Sequence, residues 1–167
     1  AYVVFTFAMA DQPVTPKMEH AREYLGQHLL ERDHSDDADA FAAFARCWVG
    51  QSVTDRVIEV LVSRWEGLSL SEKAKLCWVL SVRGHALAGA YVDEVKSALV
   101  GPAKGYLKKA AGDTDARELQ WFHPGSTEAI AFFVLGLMRD RDAEASTSLR
   151  RDKRMTCDDA DLAVLVA

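Results

Sequence analysis

Apolar residues recur along this chain in blocks, separated by short polar or glycine-containing breaks. The densest block lies in the stretch from Ser126 to Asp140, which has no charged side chain between Ala129 and Met138. A surface helix shows one apolar stripe. This segment is apolar all round and predicts a helix buried on every side. Ala129 to Met138 would be roughly 15 Å long at about 1.5 Å per residue, about half of what a bilayer needs. The segment therefore predicts an inner helix of a helical protein and not a membrane span.

The other blocks alternate in kind. Ala1 to about Ala10 is almost wholly apolar, and Asp11–Pro16 breaks it. Thr15 can cap a second helix reaching about Arg32, with Pro16 at its first position. Met18, Ala21, Tyr24, Leu25 and Leu29 form its stripe. Asp33–Asp37 is a polar turn. An apolar helix follows from Ala38 to Val49, stopped by Gly50. Thr54 to Gly67 reads as an outer helix with Val57, Ile58, Val60, Leu61 and Trp65 inward. Ser69 and Glu72 have capping-box spacing, and the helix they open runs to Arg83 and stops at Gly84. Ala88 to Val100 is again amphipathic, through Tyr91, Val92, Val95 and Leu99. Gly101 to Gly125 is punctuated by Gly105, Gly112, Pro102 and Pro124. Tyr106–Lys109 and Glu118–Phe122 would be short extended segments of a hairpin about Gly112-Asp113. After the densest block, a short polar helix is expected over Ala143–Arg151, and a last one begins at Thr156–Asp159.

Inner and outer helices thus alternate, with a step of about 35 residues between like positions such as Phe7, Phe41 and Leu76. A period of that size signals stacked helical hairpins. Two all-α geometries fit: an open solenoid, or a closed α/α toroid with one helix of each pair inside. The nearly all-apolar character of one set favours the toroid. The expectation is one domain over residues 1–167, an incomplete α/α toroid.

Composition narrows the classes of function. Hydrophobic residues make up 49%, enough for a substantial core, and the net charge is −5 with a pI near 5.5. That argues against nucleic acid, where basic clustering is expected, and against anionic membrane surfaces. Cys47, Cys77 and Cys157 form no CxxC pair, and an odd count is no disulfide framework; each reads as a packed free thiol. There is no signal peptide and no transmembrane run. Both ends are apolar where domain termini are usually polar, which predicts a fragment of a longer polypeptide.

Each candidate for chemistry has a plainer explanation. Asp33, Asp36, Asp37 and Asp39 could line a metal or acid cavity, but capping and helix-dipole charge account for them. Asp158, Asp159 and Asp161 read the same way. His123, in Trp121-Phe-His-Pro-Gly125, has no second ligand or nucleophile near it in sequence. His20 and His28 read as surface positions, and Lys104, Lys108 and Lys109 as a small solvated basic patch. Trp48, Trp65, Trp78 and Trp121 read as packing. No catalytic, cofactor-binding or metal-binding residue is assigned.

Several strings, in order, resemble the thioester domain of the α2-macroglobulin and complement family, nearest its bacterial members. Ala1-Tyr-Val-Val-Phe-Thr-Phe-Ala8 with His20-Ala-Arg-Glu-Tyr-Leu25 resembles one inner–outer pair, and Asp39-Ala-Phe-Ala-Ala-Phe-Ala45 the next inner helix. Leu68-Ser-Leu-Ser-Glu-Lys-Ala-Lys-Leu76, closing on Val82-Arg-Gly84, resembles the bacterial Leu-Ser, Lys-Ala, apolar helix, Gly pattern. Trp121 with Ser126-Thr-Glu-Ala-Ile-Ala131 and Leu135-Gly-Leu137 resembles the late helix of that domain, and Thr156–Val166 the helix after it. The family's Gly-Cys-x-Glu-Gln thioester string is absent, and Asp158-Asp159 stands where the family has Gln. No functional family residue carries over: either the chain begins after the thioester, or this is a member without one.

The resemblance implies an α/α toroid and a non-catalytic role. The chain would be the wall of the thioester domain in a periplasmic or extracellular protein that traps proteases, with those proteases and the parent's other domains as partners and no cofactor. Two alternatives remain. One is an enzyme of the terpene-cyclase or prenyltransferase type, with Asp33–Asp39 and the tryptophans in one cavity. The other is a helical-repeat binding scaffold.

Overall fold

Two helices are buried on every side, and each lies within its own compact unit. The computed structural model describes residues 2–10, 15–27, 36–111, 124–146, 155 and 157–167, and among them there is helix and no strand. The chain divides into Ala1–Leu68 and Ser69–Ala167.

The first unit holds α1 (Tyr2–Met9), α2 (Pro16–Gln27), α3 (Asp36–Trp48), α4 (Asp55–Ser63) and a single 3-10 turn at Trp65–Gly67. Helix α3 is buried without a break from Asp39 to Ala45. Its Phe41, Phe44 and Trp48 surround Phe5 of α1 at centroid distances of 5.7, 5.6 and 5.5 Å, all edge-on, the arrangement the ring quadrupoles prefer. Gly50 takes φ +78°, and the amides of Gly50 and Gln51 bond back to the carbonyls of Cys47 and Arg46. That pattern closes a helix on a residue that has no Cβ to clash. Helix α4 buries Val57, Ile58 and Leu61 on one face, with Asp55, Arg56 and Glu59 exposed. It ends at Ser63, and the turn that follows buries Trp65, so the predicted continuous helix to Gly67 is broken at Arg64. Helix α2 buries Met18 while Lys17, Glu19 and His20 are exposed, and Tyr24, read as part of its apolar stripe, is exposed too. In α1, read as inner, Thr6, Met9 and Ala10 are exposed or just beyond its end.

The second unit holds α5 (Leu70–Val82), α6 (Ala88–Ala111), α7 (Pro124–Ser146) and α8 (Asp159–Val166). Ser69 and Glu72 form the predicted capping box: each side chain bonds the other's backbone amide, Glu72 N–H to Ser69 Oγ at 3.3 Å. Gly84, at φ +64°, closes α5 as Gly50 closes α3, with the amides of Gly84 and His85 on the carbonyls of Ser81 and Leu80. Helix α5 packs against both α6 and α7 and is buried from Ala74 to Ser81 without a break.

Several expectations are corrected here. The helix expected to stop at Val100 runs on to Ala111, through Gly101 and Pro102. Tyr106–Lys109 is therefore helical, while Glu118–Phe122 and the Gly112-Asp113 turn lie outside the described residues. The cause is burial: Ala88, Val92, Val95, Leu99 and Ala103 keep a three- and four-residue period, and Gly101 and Pro102 fall on the exposed side. Helix α7, expected to be buried all round, is not. Ala129, Phe132, Phe133, Gly136 and Leu137 are buried, while Ala131 and Met138 are exposed, Met138 by 56%. The polar helix expected over Ala143–Arg151 begins as the last turn of α7, to Ser146; residues 147–151 lie outside the description.

Candidate functional site

The most unusual side chain of the second unit is a lysine in its central helix. Lys75 stands on α5 between Ala74 and Leu76 and is only 1% exposed. Burying an ammonium is costly unless it is paired and hydrogen-bonded. Its Nζ meets Glu128 Oε1 of α7 at 3.0 Å and lies 4.8 Å from the centroid of the Phe132 ring, one turn further along α7. A carboxylate and the negative face of an aromatic ring are two groups that compensate a cation leaving water. Glu128 is 48% exposed, so the pair runs from the interior to the edge of the α5–α7 contact.

A second tie joins α6 to α8. Lys104 Nζ donates to Asp161 Oδ1 at 2.7 Å, and this hydrogen bond is the main reason its pKa lies above the ordinary lysine value. Asp158 caps α8 by accepting from the Asp161 amide at 2.7 Å. A third, Lys73 to Glu94 at 2.9 Å, joins α5 to α6. Between these ties Cys77 is fully buried, its thiol donating to the Tyr91 carbonyl at 3.5 Å. Burial, with the Glu94 charge adding to it, pushes that thiol far above its usual range. A thiol held protonated is a poor nucleophile.

At Gly136, α7 comes close to α5. A Cβ there would lie 2.9 Å from Trp78 Cβ and 3.0 Å from Met155 Sδ. Trp78 and Met155 are both buried, so this is interior packing with no open cleft.

Comparison with family models, with curated proteins and with solved structures finds no match.

Of the acidic residues near α3, Asp39 is the one whose side chain the structure describes. Asp36 and Asp37 open the helix, Asp39 lies one turn in and is 2% exposed, and Asp33 is outside the described residues. Among the described residues, no group of three or more His, Cys, Asp or Glu is placed to hold a metal ion. His123, Trp121 and His28 lie outside the description, and His20 is exposed, 4.0 Å from Glu23. Trp65 and Trp78 are buried and Trp48 half-buried, as packing residues would be. Lys104 is exposed, as read, and its ammonium is engaged by Asp161. Cys47 is buried like Cys77, and Cys157 is half-buried.

Lys75 was not singled out from the sequence, though the signal was present. A helix read as inner carried a lysine among Ala74, Leu76 and Cys77. A charge in such a place demands a partner, and Glu128 is the only charged residue in the Ser126–Met138 stretch. The arrangement can hold two helices in one relation.

Proposed function

We propose that this chain is part of the non-catalytic wall of a macroglobulin-like thioester domain, in a periplasmic or extracellular protein that traps proteases. The carrying observation is the order within α3 to α6. Helix α3, buried on every side, is followed by the one-faced α4; helix α5, buried on every side, is followed by the one-faced α6. An α/α toroid requires that alternation, and the family strings fall on the same helices. The side chains brought together make interhelical ties, which suits a wall. The test uses the parent protein. After incubation with trypsin, the protease should co-elute with the cleaved parent in gel filtration and keep activity on small but not protein substrates. A parent that is simply digested, with free trypsin recovered, overturns the proposal.

A helical binding scaffold is a second reading, favoured by one observation: the solvent side of α7 is apolar at Ala131 and Met138. Under that reading trypsin is not retained, and Met138→Lys weakens association with the parent's other domains.

A further inference from the structure

Helix α6 is a single helix of 24 residues, but its two parts are held by different partners. The first part is tied to α5: Glu94 accepts from Lys73 at 2.9 Å, and the Tyr91 carbonyl accepts from the Cys77 thiol at 3.5 Å. The later part is tied to α8, where Lys104 Nζ donates to Asp161 Oδ1 at 2.7 Å. Helix α8 packs more on α6 than on α7. Between the two sets of ties stands Pro102, inside the helix. Proline has no amide to give to the carbonyl four residues back, that of Ala98, and its ring crowds that carbonyl. Gly101 and Gly105 beside it are the weakest helix formers after proline. Ala98, Gly101, Pro102 and Gly105 are all exposed, so the weak point of the ladder faces solvent, while Leu99, Val100 and Ala103 hold the buried side.

We propose that Gly101-Pro102 is a hinge, about which the arm of α6 from Ala103 onward turns together with α8 while the part before it stays on α5. Sharp bends in helices centre on prolines. A hinge concentrates its change in backbone angle at a few residues between two bodies that stay intact. The ties define those bodies here. Glu94 and Tyr91 lie before Pro102 and hold to α5; Lys104 lies after it and holds to α8. A bend at Pro102 therefore leaves all three in place, whereas a bend at any residue between Lys104 and its partner helix would have to break one. Met155, ahead of α8, packs beside Trp78 and Gly136 and stays with α5 and α7, so α8 turns about that end. The turn redirects the outer side of α8, with its exposed Ala163 and Val166, and leaves the α5–α7 contact untouched.

The test uses the whole chain and the variant Pro102→Ala. Pro102 is exposed and alanine is the better helix former, so the variant keeps the fold. Spin labels are placed on cysteines introduced at Ala90, in the first part of α6, and Ala163 of α8, both exposed, in a Cys157→Ser background. Double electron–electron resonance then reads the distribution of distances across the hinge. A second pair, Ala90 with exposed Ala131 of α7, spans the anchored part and is the control. The Ala90–Ala163 distribution should be broad with Pro102 and narrow by roughly half in Pro102→Ala, as loss of one hinge requires; the Ala90–Ala131 distribution should be narrow in both. Equal widths for Ala90–Ala163 with and without Pro102 overturn the proposal, because any motion of α8 would then be its own. So does a control pair that narrows to the same degree, because the proline would then loosen the whole unit and not one joint.

Discussion

Replacing Gly136 by alanine sets two known effects against each other. Alanine removes backbone freedom from the unfolded chain and favours helix, which stabilises an interior helical glycine position by about 0.5–1 kcal/mol. At Gly136, however, the new Cβ meets Trp78 Cβ at 2.9 Å, Met155 Sδ at 3.0 Å and Trp78 Cγ at 3.2 Å. Met155 is flexible and can give way. Trp78 Cβ cannot, because it is anchored to the backbone of α5, so the two helices must separate. Overpacking of that kind costs about 1–3 kcal/mol. The net expectation is a loss of about 0.5–2 kcal/mol, a fall in melting temperature of roughly 2–6 °C for a chain of this size. Gly105 is the control. It lies in α6, and a Cβ there meets nothing within 4 Å, so Gly105→Ala should gain about 0.5–1 kcal/mol. Urea titration followed by far-ultraviolet circular dichroism measures both. Opposite signs are expected. If Gly136→Ala stabilises the chain as Gly105→Ala does, the close approach of α5 and α7 at this point is wrong.

Three further outcomes follow from the same structure. Ser69→Ala removes the capping box of α5 and should cost about 1 kcal/mol in the same titration, while Ser69→Asp should restore most of it. With a thiol reagent at mildly alkaline pH, Cys157 should label first and Cys77 only on unfolding, because Cys77 is buried and its proton is held; mass spectrometry of the labelled peptides gives the order. The pKa of Lys104 is raised by Asp161, so the pair's contribution is complete below the ordinary lysine pKa and is lost as pH rises through the higher folded value. The Lys104 side-chain resonances should accordingly titrate at lower pH in Asp161→Asn than in the native chain.

The ends of the helices were the most legible part of the sequence. Ser69 with Glu72, Asp158, Gly50 and Gly84 each act through their own backbone and a partner within a few residues. Such signals survive without tertiary information. Interior breaks were less legible. Pro102 removes a backbone donor and ordinarily ends a helix, yet the buried series through Leu99 and Ala103 carries α6 past it. Following that period beyond Val100 would have exposed the error. The Lys75–Glu128 tie needed knowledge that α5 and α7 are neighbours, which spacing within either segment does not contain.

The difference in burial between α5 and α7 has a physical cause. Ranked by sequence apolarity, α7 looks like the centre, because nothing charged interrupts Ala129–Met138. The centre is instead α5, which buries Ser71, Glu72, Lys75 and Ser81. Apolarity measures what a segment loses by being wet. It does not measure whether burial is available, which depends on how many neighbours the chain can bring to it. Helix α5 has α6 and α7 as neighbours and meets two of its polar requirements at identifiable places: Glu72 in the cap, Lys75 on Glu128. Helix α7 packs closely on α5 and only lightly on α6 and α8, and its opposite stripe stays partly wet at the modest cost that exposed apolar groups ordinarily carry. A helix rich in apolar residues is therefore free to lie at the flank. A helix carrying a buried lysine is not free in the same way: it must lie where a carboxylate can reach it, and Lys75 thereby says more about the arrangement of α5 and α7 than the whole apolar run does.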